Sequence, residues 1–166
     1  MPEYGRRFSE DKLAALRREH PGAVWEDVEF TSEEFPLIGA RQNALEDRAG
    51  AEGSPVLFCD TDSFATTVWH ERYVGGRNPG IPAPRRQHLW LLTDHEGVPF
   101  EDDGLRDGEE LRPWMTERFR TELTRTGRRF LTLTGPHDKR LATAVAAVDD
   151  LLAEGWDLAD PLPEKR

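Results

Sequence analysis

Two carboxylates close a short apolar run in the chain: Ser54-Pro55-Val56-Leu57-Phe58-Cys59-Asp60-Thr61-Asp62. An apolar run bounded by breakers predicts a strand buried on both faces, although the pattern alone also fits a buried helical segment. In an open parallel sheet, ligands bind at the carboxyl ends of the strands. Asp60 and Asp62 are expected at that edge, with Thr61 pointing the other way by strand alternation. Two acids placed there suit Mg²⁺ held for phosphate chemistry, or a base for a hydroxyl. They suit capping of the following helix equally well. The five histidines (20, 70, 88, 95 and 137) show no zinc-site spacing. Cys59 has no histidine placed to activate it and is expected to be buried and inert.

The chain must then supply elements that hold these residues. Its 166 residues suffice for one domain with a real core. A single cysteine excludes an internal disulfide and fits a reducing cytoplasm. No apolar run approaches the roughly 20 residues of a membrane span, and Met1-Pro2-Glu3-Tyr4 carries no apolar leader. The net charge of -10 disfavours a nucleic-acid backbone as partner. It leaves room for a phosphorylated small molecule, which needs only local cations. The expectation is a cytoplasmic protein with a small-molecule partner, no nucleic acid and no membrane; oligomerisation is left open.

Taken in order, Ser9 is placed to cap a short helix to Arg18, stopped at His20-Pro21-Gly22. Thr31-Ser32-Glu33-Glu34 has the form of a capping box. Phe35, Ile38, Gln42, Leu45 and Ala49 then follow helical spacing. Gln42 is the one strongly polar member of that stripe. A half-exposed boundary position is the common use of such a residue; reaching into a site is the rarer one. A helix over 63–73 follows the acids, and 88–93 reads as a second buried strand, stopped by Asp94. An acidic loop over 95–108 leads to a helix over 109–124. A third strand over 130–134 ends at Gly135-Pro136. The last helix starts at Asp138, with Leu141, Val145, Val148, Leu151 and Leu152 as its apolar face. Three strands separated by helices predict an α/β fold with a parallel sheet. It should form one domain over 1–160, with a fraying tail over 161–166.

Glu3-Tyr4-Gly5-Arg6, then the 56–62 run, then Asp103-Gly104-Leu105-Arg106 occur in this order. On these motifs the chain resembles the ribosylnicotinamide kinase domain of NadR-type proteins over nearly its whole length. The resemblance implies a three-layer P-loop kinase fold, an AAA-type ATP-binding domain, working with ATP and Mg²⁺. It implies phosphorylation of the ribose 5′-hydroxyl of nicotinamide riboside to NMN in NAD salvage. In bifunctional members an adenylyltransferase domain precedes the kinase. One departure is decisive: G-x-x-x-x-G-K-[ST] appears nowhere in the chain. In the family that loop, with its strand and helix, precedes the Glu-Tyr-Gly-Arg motif. The sheet is therefore expected to be incomplete, the chain N-terminally truncated, and the kinase inactive as it stands. Loss of a central strand would strand buried backbone groups at about 1–3 kcal/mol each. The alternatives are a non-catalytic nucleoside- or nucleotide-binding or regulatory remnant, and another small-molecule kinase of the same fold.

The resemblance also assigns roles. Asp60 would hold Mg²⁺, directly or through water, and Asp62 would orient the ribose or accept its proton; the two could be exchanged. Glu3 competes for the role of base, against a reading as a solvated terminal carboxylate. Arg6 would pair with phosphates, against a surface role beside Arg7. Arg106 would be a lid arginine closing on the transferred phosphoryl group, against a cation that merely balances an acidic loop. Tyr4, Gln42, Trp69 and Tyr73 would contact the substrate, although core packing is the commoner use of such aromatics. Gly135 and Pro136 stand where kinases of this fold hold adenine.

Overall fold

The computed structural model describes residues 1–53, 55–85, 87–101, 103–105 and 108–154. Two strands, β1 (Trp90–Thr93) and β2 (Phe130–Leu133), pair in parallel from Trp90 opposite Phe130 to Thr93 opposite Leu133. Parallel neighbours need a crossover, and this one carries a single turn of 3₁₀ helix and then a longer helix, Arg112–Arg125. The remaining α-helices are Tyr4–Glu19, Glu34–Ala51, Ser63–Tyr73 and His137–Ala153, with a 3₁₀ turn at Trp25–Asp27. In chain order these are α1, α2, α3, α4 (Arg112–Arg125) and α5 (His137–Ala153). α4 packs on β1 and α5 on β2, while α2 bridges α1 and α3. The fold is α/β with a small parallel sheet, consistent with an incomplete P-loop kinase-like architecture.

Three strands were expected, and among the described residues two form. Residues 56–59 are not assigned to a strand; among the described residues one rung of ladder joins this run to the N-terminus: Met1 N donates to Phe58 O (2.5 Å), and Asp60 N donates to Met1 O (2.9 Å). That is the hydrogen-bond pattern of a parallel pair opposite Cys59. Leu57 and Phe58 remain 39% and 59% exposed, so the run is not buried on both faces. The apolar face of α5 behaves likewise, with Leu141, Val145 and Leu152 exposed and none of its residues buried. An apolar pattern records which residues favour burial; it does not supply the neighbour that covers them. Among the described residues, that neighbour is absent.

Helix ends differ from expectation for local reasons. α1 begins at Tyr4, not Ser9, with Glu3 at the N-cap in extended conformation. The Ser9 hydroxyl instead donates back to the Gly5 carbonyl (2.9 Å), the mid-helix use of serine. At α2, Glu34 Oε2 accepts from Thr31 N (2.7 Å), the reciprocal half of the expected capping box. The helix over 63–73 forms as the pattern predicts.

The core lies among α2, α3 and α4, with Phe35, Ile38, Phe64, Val68 and Leu123 buried. Beside it, Trp25, Phe30, Phe35 and Tyr73 form an aromatic cluster with ring centroids 4.9–6.4 Å apart. Glu122 on α4 is 7% exposed and ringed by Arg118 (2.7 Å), Arg125 (2.6 Å) and Arg77 (3.2 Å). Hydrogen bonds from Arg125 and Arg118 outweigh its desolvation and hold its carboxyl down at about 2. Its stabilising contribution is fully present above the ordinary value of 4.5 and drains away as the pH falls through about 2. Glu122→Gln should cost about 2–3 kcal/mol at neutral pH. That is less than a fully buried pair because Arg77 and Arg125 are solvated. Chemical denaturation at pH 7 measures it, and a loss below about 0.5 kcal/mol would show the cluster to be ornamental.

Candidate active site

A cavity of about 600 Å³ opens beside the carboxyl end of β1, where Leu92, Thr93 and Asp94 reach its wall. That is the edge at which parallel α/β sheets bind ligands. Its lining is rich in aromatic side chains, among them Trp25, Phe30, Trp69 and Tyr73. Glu3 and Asp60 face in from the start of α1 and from the turn before α3, and Arg6, Arg112 and Arg140 add positive charge.

Thr61 decides which acid reaches this cavity. Its φ is 68°, in the left-handed region, which is an outlier for a β-branched residue. Strand alternation therefore breaks between the two acids. Asp60 and Thr61 line the cavity, while Asp62 turns inward and is 5% exposed. There Asp62 Oδ1 accepts from Ala65 N (2.9 Å), capping α3, and Oδ2 accepts from Trp90 Nε1 (3.2 Å). Burial pushes the Asp62 carboxyl upward against these bonds. Of these two acids, Asp62 caps α3, and Asp60 is the one that lines the cavity.

Glu3 is not a freely solvated terminal acid. Desolvation, reinforced by the charge of Asp60 and opposed by Arg6, pushes its carboxyl up to about 7. A carboxyl in that range can take and release a proton near neutrality. Cys59, expected to be buried, is only partly so, and desolvation still raises its thiol to about 11, away from the reactive thiolate.

The remaining predicted site residues scatter. Trp69 and Tyr73 both line the cavity, stacked with centroids 6.1 Å apart. Arg6 also lines it and binds Asp103 (2.9 Å) and Glu10 (3.3 Å), so the Glu-Tyr-Gly-Arg and Asp-Gly-Leu-Arg segments meet at the rim. Arg106 itself lies outside the described residues, as do Ser54 and residues 155–166, which include the expected tail over 161–166. Tyr4 packs towards Phe8 (6.5 Å) and is not among the cavity residues. Gln42, expected at a half-exposed boundary or in the site, is 2% exposed and lies behind the cavity wall. Gly135 has φ 86°, and a Cβ there would meet Lys139 Cδ at 3.2 Å. Neither Gly135 nor Pro136 lines the cavity, but Arg140, one turn into α5, does.

Four ionisable cavity residues were not foreseen from the sequence: Asp94, His95, Arg112 and Arg140. Asp94 carries the signal that marked Asp60, an acid ending an apolar strand, and could have been found. His95, Arg112 and Arg140 carry none, because each reaches the cavity through tertiary packing. Arg112 donates to Val98 O (2.8 Å) and His95 O (3.2 Å), fixing that turn against the cavity lining. His95 in turn meets Thr116 Oγ1 (3.1 Å) and Asp94 Oδ1 (3.2 Å).

Among the described residues no three ligating side chains cluster for a metal. Hard carboxylate oxygens on Glu3 and Asp60 do suit Mg²⁺, which keeps much of its water and seldom needs an all-protein cage.

A parallel βαβ unit with acids and cationic groups gathered over a cavity at its strand ends has the layout of nucleotide-handling α/β domains. A model of the AAA domain family matches residues 1–140, and the chain belongs to that family of P-loop-type nucleotide-binding domains. No curated protein and no solved structure matches the chain. Among the described residues, no helix is long and apolar enough to cross a membrane.

Proposed function

We propose that the cavity is the nucleoside site of a small-molecule kinase of the ribosylnicotinamide type. One observation carries this reading: aromatic side chains and the Glu3–Asp60 carboxylate pair line the same cavity, and the Glu3 carboxyl is raised to about 7. The nicotinamide ring of the riboside is cationic, and Trp and Tyr faces attract cations. Trp69 and Tyr73 would take the ring, and the ribose hydroxyl would point toward Glu3 and Asp60. Glu3 would accept the hydroxyl proton and Asp60 would orient Mg²⁺ through water. Arg6, Arg112 and Arg140, all in the cavity lining, would balance phosphate charge. ATP with Mg²⁺, when bound, supplies the phosphoryl group.

The missing G-x-x-x-x-G-K-[ST] motif favours a second reading: nucleoside binding without transfer. No loop of that kind in these 166 residues cradles the ATP phosphates. Calorimetry with nicotinamide riboside, with and without ATP and Mg²⁺, separates the two. Binding of the riboside is expected, with Trp69→Ala weakening it about tenfold through loss of one stacked face. Formation of NMN by this chain would establish the kinase reading, and saturable binding without NMN the second. If neither nicotinamide riboside nor NMN binds, both readings fail.

A further inference from the structure

One buried side chain links the two residues that immediately follow the cavity acids. Gln42 on α2 accepts from Tyr4 N through Oε1 (2.9 Å), and its Nε2 donates to Thr61 O (3.3 Å). Tyr4 follows Glu3 and Thr61 follows Asp60. The second Nε2 hydrogen goes to Glu46 Oε1 (3.2 Å), whose other oxygen accepts from Gln87 Nε2 (3.0 Å). This set fixes the amide orientation. Turned over, it would face its NH₂ toward an N–H and its oxygen toward a carbonyl and a carboxylate.

We propose that Gln42 is a positioning residue that sets the separation of Glu3 and Asp60, and does so without touching the substrate. The proposal rests on reading those two acids as the working pair of the site. The geometry favours it over simple core filling. The Met1 rung pins 58–60 from one side. Gln42 pins the segment again, beyond the acids, at the one residue whose left-handed backbone turns Asp60 outward. Releasing that hold frees the first turn of α1 and the 60–62 turn to move apart. Its neighbour Glu46 is an acid, so a carboxylate at position 42 would be repelled where the amide is held.

The test reads Glu3 directly, with no substrate present, so it does not depend on whether the cavity binds a nucleoside or transfers phosphate. Glu3 faces Asp60 and Arg6, and Asp94, His95, Arg112 and Arg140 line the same cavity. In protein carrying ¹³C-labelled glutamate carboxyls, the Glu3 midpoint is followed in wild type and in Gln42→Met, which keeps the volume and loses the bonds. The midpoint should fall from about 7 by roughly one unit or more as Asp60 separates and water enters. A folded Gln42→Met protein with a lowered melting temperature but an unmoved Glu3 midpoint would overturn the proposal, since core filling alone predicts that outcome. Should the variant not fold, hydrogen exchange on wild type decides. The Tyr4 amide should be protected at least tenfold more than those of Gly5 and Arg6, first-turn donors that helices leave unpaired. Equal exchange at all three would equally overturn it.

Discussion

Asp62→Ala is expected to lower the unfolding free energy by about 2–4 kcal/mol, whereas Asp60→Asn, two residues away, should change it by less than about 1 kcal/mol. The Asp62 side chain caps α3 and satisfies the Trp90 indole in a site that is 5% exposed. Removing it forfeits a cap worth roughly 0.5–2 kcal/mol and leaves a donor with no acceptor at roughly 1–3 kcal/mol more. Asp60 makes no comparable side-chain bond, and its backbone N–H to Met1 survives the change. Ligand affinity should show the reverse order, falling with Asp60→Asn and holding in whatever Asp62→Ala protein remains folded. Paired urea titrations and calorimetry on both variants check this. Equal stability losses would show that the turn does not divide the acids as described.

The second large effect is a pH dependence of stability that Glu3→Gln should remove. The folded-state value of Glu3 is raised from 4.5 to about 7, so the protonated form is the one favoured by folding. Its contribution is fully present below 4.5 and is lost as the pH rises through about 7. A shift of that size corresponds to on the order of 3 kcal/mol, taken as an upper bound. Asp62 and Glu46 are shifted in the same direction by burial. The informative quantity is therefore the difference between wild type and Glu3→Gln, not the wild-type curve alone. The two should be nearly equal at pH 4, and the variant should be more stable at pH 8. Parallel curves across that range would mean Glu3 is solvated after all.

What the sequence made legible follows from the range of the forces involved. The helix over 63–73, the β1 and β2 runs and the helical stripe from Phe35 to Ala49 are set by periodicity and local breakers, and they form where expected. Asp60, Trp69 and Tyr73 stood out because an acid at a strand end and two aromatics one turn apart are local patterns, and all three line the cavity. The role of Asp62 was visible only as one of two options. Choosing between them needed the φ of Thr61 and the position of Trp90, 28 residues on. The Glu3 environment, the Gln42 bridge and the arrival of Arg112 and Arg140 depend on segments that meet only in the folded chain. Exposure of Leu57, Phe58 and the α5 face was illegible for the opposite reason. Apolar pattern announces a demand for burial, and here the described residues do not meet it.

The left-handed turn at Thr61 makes the site sensitive to chain length more than to residue identity. Gly or Asn at 61 would hold the same turn with less strain, since either tolerates positive φ better than a β-branched side chain. Removing or adding one residue there is a different matter. A one-residue slip exchanges which acid faces water and which faces the core, uncapping α3 and emptying the cavity of a carboxylate in a single event. Among variants that still fold, point substitutions should therefore accumulate at 61 while insertions and deletions between 60 and 62 do not.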